Sequence, residues 1–234
     1  MDLLTDGSTP WTALFDAVTP RLSRLGSTIH ADGVRRLGLA RSGPPAFGAI
    51  SRVIARHTGW RLLRAEGELG EPEFFEALSR RRFPVVPRLR PPEQTFSAID
   101  PDYWHEVFGH ATAILDPAVA ELYRWLGEAG TRASGDASLL ADVTRLYWWI
   151  AEYGFIREGG RPRAFGAALV GSPVALERVL AGRIRVRRLT ARRALGRDAN
   201  PHVFQPVLFC VDSIPDALER LKAWYARRAE ARAG

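Results

Sequence analysis

Cysteine, methionine and lysine are nearly absent from this chain of 234 residues, which contains one of each: Cys210, Met1 and Lys222. A single cysteine excludes an intrachain disulfide and suits a reducing cytoplasm. Apolar runs long enough to span a bilayer are also missing, and the first residues lack the basic and apolar regions of a signal peptide. Walker loops, dinucleotide fingerprints and CxxC pairs are absent too. We expect a cytoplasmic protein that does not enter a membrane.

Charge of one sign is in excess, since the formal net charge is +7 and the pI is about 10.4. Strong basicity can indicate a nucleic-acid-binding protein. The arginines are spread over many segments, the densest being 80–82, 183–193 and 227–232, and no nucleic-acid motif accompanies them. We therefore predict a solvated, arginine-rich surface and no nucleic-acid partner. A non-catalytic basic binding protein stays open as an alternative.

The apolar share of 46% and charged share of 25% are ordinary for a globular protein, and one domain over 1–234 is the simplest division. Apolar periodicity and capping residues predict a mainly α fold with a small β-element. The first 44 residues are the least informative, with a short helix interrupted at Pro20, and the tail 226–234 is expected to fray. The other predicted helices cover 46–56, 72–80, 116–127, 138–156 and a segment from Ser213, and the predicted strands cover 83–89, 183–187 and 203–211.

Two segments, 100–110 and 146–154, hold the residues best suited to bind a metal. The first contains His105 and His110, and the second places Glu152 in an apolar, aromatic run. Residues five apart on an α-helix are rotated by about 140°, so we expect Gly109 to let the helix loosen or end and the imidazoles converge. A buried carboxylate must be paired, protonated or bound to a metal, and Arg145 offers an ion pair as the plain alternative.

Two imidazoles and one carboxylate are the ligand set that holds a non-haem Fe(II) on one face, the facial triad. The same residues could serve a zinc-dependent hydrolase, for which Glu106 would have to be the general base. The spacing of His105 and His110 and the distant Glu152 fit that alternative less well.

The pattern Pro101-Asp102-x-x-His105-Glu106-x-x-Gly109-His110, followed by Tyr147-Trp148-x-x-x-Glu152-Tyr153-Gly154, resembles the signature of the tetrahydropterin-dependent aromatic amino acid hydroxylases. Further matches occur in the family's order, so the resemblance spans residues 57–212. Its length is similar to that of the catalytic domain alone, as in bacterial members that hydroxylate phenylalanine. These further matches are Thr58-Gly59-Trp60, Phe74-Phe75, Arg82-Phe83-Pro84, Arg90, Ala164-Phe165-Gly166-Ala167 and Phe204-Gln205-Pro206.

The resemblance implies the fold of that catalytic domain and the insertion of one oxygen atom of O2 into the ring of a free aromatic amino acid. The implied cofactors are Fe(II) on His105, His110 and Glu152 and a tetrahydropterin, either tetrahydrobiopterin or a related bacterial pterin. Phenylalanine is the expected substrate. Tryptophan hydroxylation and meta-hydroxylation of phenylalanine are alternatives, and we expect a monomer.

The resemblance also implies roles for residues around the metal. Arg90 would clamp the substrate carboxylate, and Tyr147 would lie near the metal. The other implied substrate-binding residues are Pro101, Asp102, Trp148, Tyr153 and Gly171. The implied pterin-binding residues are Gly67, Leu69, Phe74 and Glu106.

The chain departs from the family pattern at several positions around the expected site. Glu68 stands where an apolar residue is usual, and Ala168 and Gly171 replace a glycine and a serine. The lost serine hydroxyl would normally support a histidine ligand or the substrate. Ala98 and Ala111-Thr112 also differ from the common residues. These changes predict a reshaped pocket, so substrate choice and ring position are not inherited from the family.

Overall fold

Amphipathic helices supply most of the structure, a computed structural model that describes residues 9–97, 101–200 and 205–233. The predicted mainly α fold with a small β-element is confirmed. The helices are α1 Pro10–Leu25, α2 Thr28–Leu37, α3 Phe47–Thr58, α4 Glu71–Ser79, α5 Thr112–Ile114, α6 Pro117–Ala133, α7 Ala137–Tyr147, α8 Ala167–Val170, α9 Pro173–Leu180, α10 Ala191–Leu195 and α11 Ile214–Ala233. Two π-helical segments interrupt them, His105–Ala111 and Trp148–Glu152, and a 3-10 turn spans Pro92–Gln94.

The strands form two small sheets. β1 Arg61–Arg64 and β2 Arg82–Val85 pair in parallel, and a four-stranded sheet has the order β4-β3-β6-β5. Its strands are β3 Phe155–Glu158, β4 Arg161–Ala164, β5 Arg185–Arg188 and β6 Val207–Val211. β3 runs antiparallel to β4 and parallel to β6, which also pairs in parallel with β5. The strand predicted at 83–89 is shorter in the structure, since β2 ends at Val85. Phe204, part of the predicted strand 203–211, lies outside the described residues.

Helix starts follow the capping residues of the sequence. The Asp116 carboxylate accepts the backbone N–H groups of Ala118 and Val119, as the Asp-Pro sequence predicts. The Asp136 carboxylate does the same for Ser138 and Leu139 at the start of α7. Before α11 the hydroxyl of Ser213 accepts the N–H of Asp216 at 3.2 Å. These side chains satisfy N–H groups that the first helical turn leaves without a backbone partner.

Helix ends differ from the prediction in several places. α1 continues through Pro20 to Leu25. The helix predicted over 138–156 ends at Glu152, and Phe155 and Ile156 lie in β3. The tail expected to fray continues α11 to Ala233, where Arg228 binds Asp142 at 3.2 Å. Alanine and arginine are strong helix formers, which explains the extension.

Gly127 does not end α6, because it serves close packing instead. A Cβ at Gly127 would lie 2.3 Å from the backbone nitrogen of Ser79, and one at Gly130 would lie 2.2 Å from the Phe75 ring. The missing side chains let α6 approach α4 closely. The helix predicted over 116–127 therefore continues as far as Ala133.

We expect Gly127→Ala to lower the free energy of unfolding by roughly 1–3 kcal/mol, because the added methyl group meets backbone that cannot rotate away. Urea unfolding of the variant and the wild type measures the difference. Gly135→Ala is the matched control, since a Cβ there meets nothing within 4 Å. Equal losses in the two variants would refute the packing role of Gly127.

The core gathers around the two π-helical segments. Trp11, Trp60, Trp104 and Trp149 are fully buried within it, together with aromatic residues of α4 and β2. α8 packs on the first π-helical segment, where a Cβ at Gly109 would lie 2.6 Å from that of Ala167. Among the described residues, no helix has the length and apolar character needed to cross a bilayer.

Candidate metal centre

The first π-helical segment brings His105 and His110 together. A π-helix bonds residue i to residue i+5, so side chains five apart lie about one turn apart. The two Nε2 atoms are 3.1 Å from each other. Of the two alternatives predicted at Gly109, the helix loosens and does not end. The helix widens, continues into α5, and needs Gly109 for its contact with α8.

A buried network holds the carbonyl groups of this segment. The Thr112 hydroxyl lies 3.0 Å from the Phe108 carbonyl oxygen and 2.8 Å from that of Gly109. Since its one proton goes to these carbonyls, the hydroxyl oxygen accepts from His30 Nδ1 at 3.1 Å. Burial lowers the pKa of His30 to about 4, so the imidazole is neutral at pH 7. His30 lies on α2, and no sequence motif linked that helix to the site.

The pKa of His30 predicts a pH dependence of stability. Unfolded histidine titrates near 6.5, so between pH 6.5 and about 4 the unfolded chain binds a proton that the folded chain excludes. The free energy of unfolding therefore falls as pH drops through this window, by on the order of 3 kcal/mol from His30. Urea unfolding of metal-free protein at pH 7 and 4.5 should show a smaller drop for His30→Gln. His57→Gln, at an exposed helix end, is the control. An unchanged drop in His30→Gln would contradict this assignment.

The second π-helical segment delivers Glu152 to the histidines. Its carboxylate lies 2.9 Å from His110 Nε2 and 3.4 Å from His105 Nε2, and the residue is 9% exposed. The alternative ion pair with Arg145 is wrong, since Arg145 reaches Asp142 at 3.6 Å and the carbonyl of Leu195. One ligand atom from each of the three site residues lies within 4.8 Å of the others.

The protonation states of His105 and Glu152 suit a divalent cation. Burial lowers the pKa of His105 to about 4, which leaves a lone pair on a neutral imidazole. Burial acts to raise the pKa of Glu152, but His110, His105 and a hydrogen bond from Tyr147 outweigh it and lower the pKa to about 2. A neutral imidazole and an ionised carboxylate are the forms that bind metal, and two imidazoles with one carboxylate are a donor set that fits Fe(II).

A cavity of about 350 Å³ opens over these three residues. Phe74, Phe83 and Tyr147 give it an aromatic wall, and the Phe74 and Tyr147 rings meet edge to face at 5.1 Å. The buried carboxyl of Glu106 has an oxygen, Oε2, without a hydrogen-bond partner among the described residues. Burial, and then Glu152, raises the pKa of Glu106 well above its ordinary value. The predicted site residues that line the cavity are Gly67, Leu69, Phe74, Pro101, His105, Glu106, His110, Tyr147, Trp148 and Glu152.

Arg90, Asp102, Tyr153 and Gly171 do not line that cavity. Arg90 and Asp102 form a two-pronged ion pair, with Nη2 2.6 Å from Oδ1 and Nε 2.9 Å from Oδ2. Asp102 also accepts the backbone N–H of His105, so it joins the arginine to the first histidine. Burial acts to raise the pKa of Asp102, but Arg90 outweighs it and the pKa is lowered.

Tyr153 and Gly171 contact tryptophan residues instead. Tyr153 stacks on Trp148 with the ring centres 4.7 Å apart. The Gly171 carbonyl accepts the indole N–H of Trp104 at 2.9 Å. Ala98, another position of departure from the family, lies outside the described residues.

Sequence reasoning missed two polar groups at this site. Thr144 lines the cavity, and its buried hydroxyl has no hydrogen-bond partner among the described residues. Its position four residues before Trp148 and eight before Glu152 places it on the same helix face, which is a usable signal. Tyr123 lies on α6, and its hydroxyl is 3.2 Å from His110 Nδ1. A buried phenol requires a partner, and that rule could have singled it out.

Comparisons with known proteins agree with this geometry. The sequence model of the family described as biopterin-dependent aromatic amino acid hydroxylase matches residues 29–231. Phenylalanine-4-hydroxylase of Mesorhizobium japonicum is 34% identical over 74% of this chain and 62% of its own length. The enzyme of the same name from Caulobacter vibrioides is 34% identical over 87% of this chain and 69% of its own length. The chain thus spans about two thirds of the length of these relatives.

The fold agrees as well. Phenylalanine hydroxylase of Chromobacterium violaceum, in a crystal structure with bound iron(III) and oxidised cofactor 7,8-dihydrobiopterin, superposes with a TM-score of 0.86. It is 26% identical, and the match covers 95% of this chain and 81% of that one. The predicted resemblance to the hydroxylase catalytic domain is therefore confirmed. The chain belongs to the family of biopterin-dependent aromatic amino acid hydroxylases.

Proposed function

We propose that this chain is an aromatic amino acid monooxygenase that hydroxylates the ring of free phenylalanine, using non-haem Fe(II), a tetrahydropterin and O2. The observation that carries the proposal is the convergence of His105, His110 and Glu152 on the wall of an aromatic-lined cavity. Relatives named phenylalanine-4-hydroxylase support the choice of substrate.

His105, His110 and Glu152 would hold the iron. When bound, the iron and the reduced pterin would supply the electrons that activate oxygen. The protein's share is to keep the His105 imidazole neutral, to keep the Glu152 carboxylate ionised, and to leave the cavity side of the site open. Because the three side chains come from two segments locked in the core, they need little reorganisation to bind a cation.

The pterin would lie against Gly67, Leu69 and Phe74, with Glu106 facing it. Phe74 lines the cavity and is only half-buried, so its ring offers an aromatic surface to a flat heterocycle. The unpartnered Glu106 Oε2 offers a hydrogen bond to the same ligand. Glu68 adds an acidic group at this wall, which distinguishes this chain from the common family pattern.

The amino acid would place its ring beside Trp148, Pro101 and Tyr147 and its carboxylate near Arg90. Asp102 would orient Arg90, whose planar guanidinium suits a carboxylate. For Tyr153 and Gly171 the support is indirect: Tyr153 would act through its stacking on Trp148, and Gly171 through the hydrogen bond to Trp104.

The test is anaerobic loading with Fe(II), followed by tetrahydrobiopterin, air and each aromatic amino acid in turn, with mass spectrometry of the products. We expect a gain of one oxygen on phenylalanine, with the ring position read from the fragmentation and retention of the product. Preference for tryptophan, or a meta product, would keep the family chemistry and overturn the substrate assignment. Binding of zinc with hydrolytic activity and no oxygen uptake would favour the hydrolase alternative.

We further propose a monomer that acts in the cytoplasm and binds neither nucleic acid nor membranes. The buried free thiol of Cys210 suits a reducing compartment. Ion pairs occupy many surface arginines, such as Arg35 with Asp32 and Arg80 with Glu76, which moderates the basic field. Light scattering after gel filtration would test the monomer, and a shift to dimer mass would overturn it.

A further inference from the structure

We infer that Tyr123 is a positioning residue for His110: it accepts the Nδ1 proton of the metal-bound imidazole and fixes the ring orientation that this histidine needs as a metal ligand. The inference rests on the proposed metal site. Its basis is the contact of 3.2 Å between the Tyr123 hydroxyl and His110 Nδ1. Both side chains lie in the core, Tyr123 at 0% exposure and His110 at 2%, so water cannot replace the hydroxyl.

The direction of this hydrogen bond follows from the geometry. His110 Nε2 faces the Glu152 carboxylate at 2.9 Å and His105 Nε2 at 3.1 Å, so Nε2 is the atom that meets a metal. A ligating nitrogen uses its lone pair, and the ring proton must then sit on Nδ1. With a metal on Nε2, His110 Nδ1–H therefore donates to the phenol oxygen of Tyr123. The phenol accepts this proton and stops rotation of the imidazole.

Tyr123 is itself held in place by aromatic neighbours. Its ring centre lies 6.4 Å from that of Trp60, 6.2 Å from Phe83 and 6.0 Å from Tyr147. Phe83 also packs on the His110 ring at 4.7 Å. These rings surround the phenol and the imidazole together, so the hydroxyl keeps its place beside Nδ1.

The two histidines differ in this support. Among the residues that the structure describes, no side chain or carbonyl is hydrogen-bonded to His105 Nδ1, and the His105 side chain is 20% exposed where that of His110 is 2% exposed. Tyr123 thus makes His110 the better fixed of the two imidazoles. The phenol that supports His110 lies on α6, a helix that carries none of the proposed metal ligands.

The test compares Tyr123→Phe with wild type by titrating metal-free protein with Co(II) against a competing chelator. We expect the dissociation constant to rise roughly 10–100-fold, as when a ligating histidine loses its hydrogen-bond partner. The visible absorption of bound Co(II) should also change, because the imidazole is free to turn. Tyr225→Phe is the matched control. It removes a phenol that binds the Ala129 carbonyl on the far side of α6, and it should leave both readings unchanged.

A second measurement uses wild-type protein, so it does not depend on the folding of a variant. In Zn(II)-loaded protein with ¹⁵N-labelled histidine, the Nδ1 proton of His110 should exchange slowly with solvent and that of His105 quickly. Equal, fast exchange at both, or an unchanged Co(II) constant and spectrum in a folded Tyr123→Phe, would overturn the inference while the proposed function stands. If wild type binds neither Co(II) nor Fe(II), the proposed function itself fails.

Discussion

Glu152→Gln is expected to abolish hydroxylation and to weaken Fe(II) binding by more than the roughly 100-fold that loss of a ligand's hydrogen-bond partner costs. The substitution keeps the size of the side chain and removes the negative charge. Neutral imidazoles from His105 and His110 cannot balance the charge of a divalent cation by themselves. An amide oxygen is also a much weaker donor than a carboxylate. Anaerobic Fe(II) titration and product analysis measure both losses.

The control for this substitution is Glu219→Gln on α11, which removes a carboxylate that pairs with Lys222 at the surface. It should bind iron and form product like wild type. If Glu152→Gln bound Fe(II) with unchanged affinity, the carboxylate would not be a ligand. Glu152 would then be only a partner of the two buried imidazoles.

Asp102→Asn is expected to lower the free energy of unfolding by about 3–5 kcal/mol, because it leaves the Arg90 guanidinium buried without a counter-charge. The Arg90 side chain is 11% exposed and that of Asp102 is 6% exposed, so solvent screens the pair little. The variant should also raise the KM for the amino acid more than it changes kcat, since Arg90 loses the carboxylate that orients it. Urea unfolding and steady-state kinetics measure the two effects.

Asp16→Asn provides the comparison, since Asp16 binds Arg41 with the same two-pronged geometry at an exposed site. Exposed ion pairs contribute about 1 kcal/mol or less, so this variant should stay near wild type in stability and in KM. Equal destabilisation by the two substitutions would show that burial does not govern the Arg90–Asp102 pair.

Local chemistry predicted where elements begin better than where they end. Asp116 and Asp136 cap helices through bonds formed within a few residues, so their sequences are sufficient. Gly127 reads as a helix end, but its function is a contact with Ser79 on α4, far away in the chain. The same is true of the tail, where Arg228 reaches Asp142 across helices. Contacts between distant segments decided these ends, and no local pattern contains them.

The π-helical segments were beyond prediction for a related reason. The α-helical rotation per residue sets His105 and His110 apart, and a change to i→i+5 bonding depends on partners outside the segment. Those partners are Thr112 with His30 of α2, and Ala167 of α8, which fills the space beside Gly109. The motif therefore identified the residues that converge, while the way they converge came from tertiary contacts.

Around the cavity, the sequence pointed to residues that lie in motifs and missed those that do not. Trp148 and Glu106 were found by resemblance, whereas Thr144 and Tyr123 belong to apolar helix faces where a polar atom attracts no notice. Their common property is a buried polar group that must find a partner in the site or in a ligand. Arg90 was assigned to the substrate, but its pairing with Asp102 links two segments that only the fold brings together.

The most direct test of the proposed iron chemistry is incorporation of ¹⁸O from ¹⁸O2 into phenylalanine by Fe(II)-loaded protein with tetrahydrobiopterin. We predict one labelled oxygen atom on the ring, dependent on both iron and pterin and lost in Glu152→Gln. Stoichiometric Fe(II) binding with no labelled product from any aromatic amino acid, or failure to bind Fe(II) at all, would contradict it.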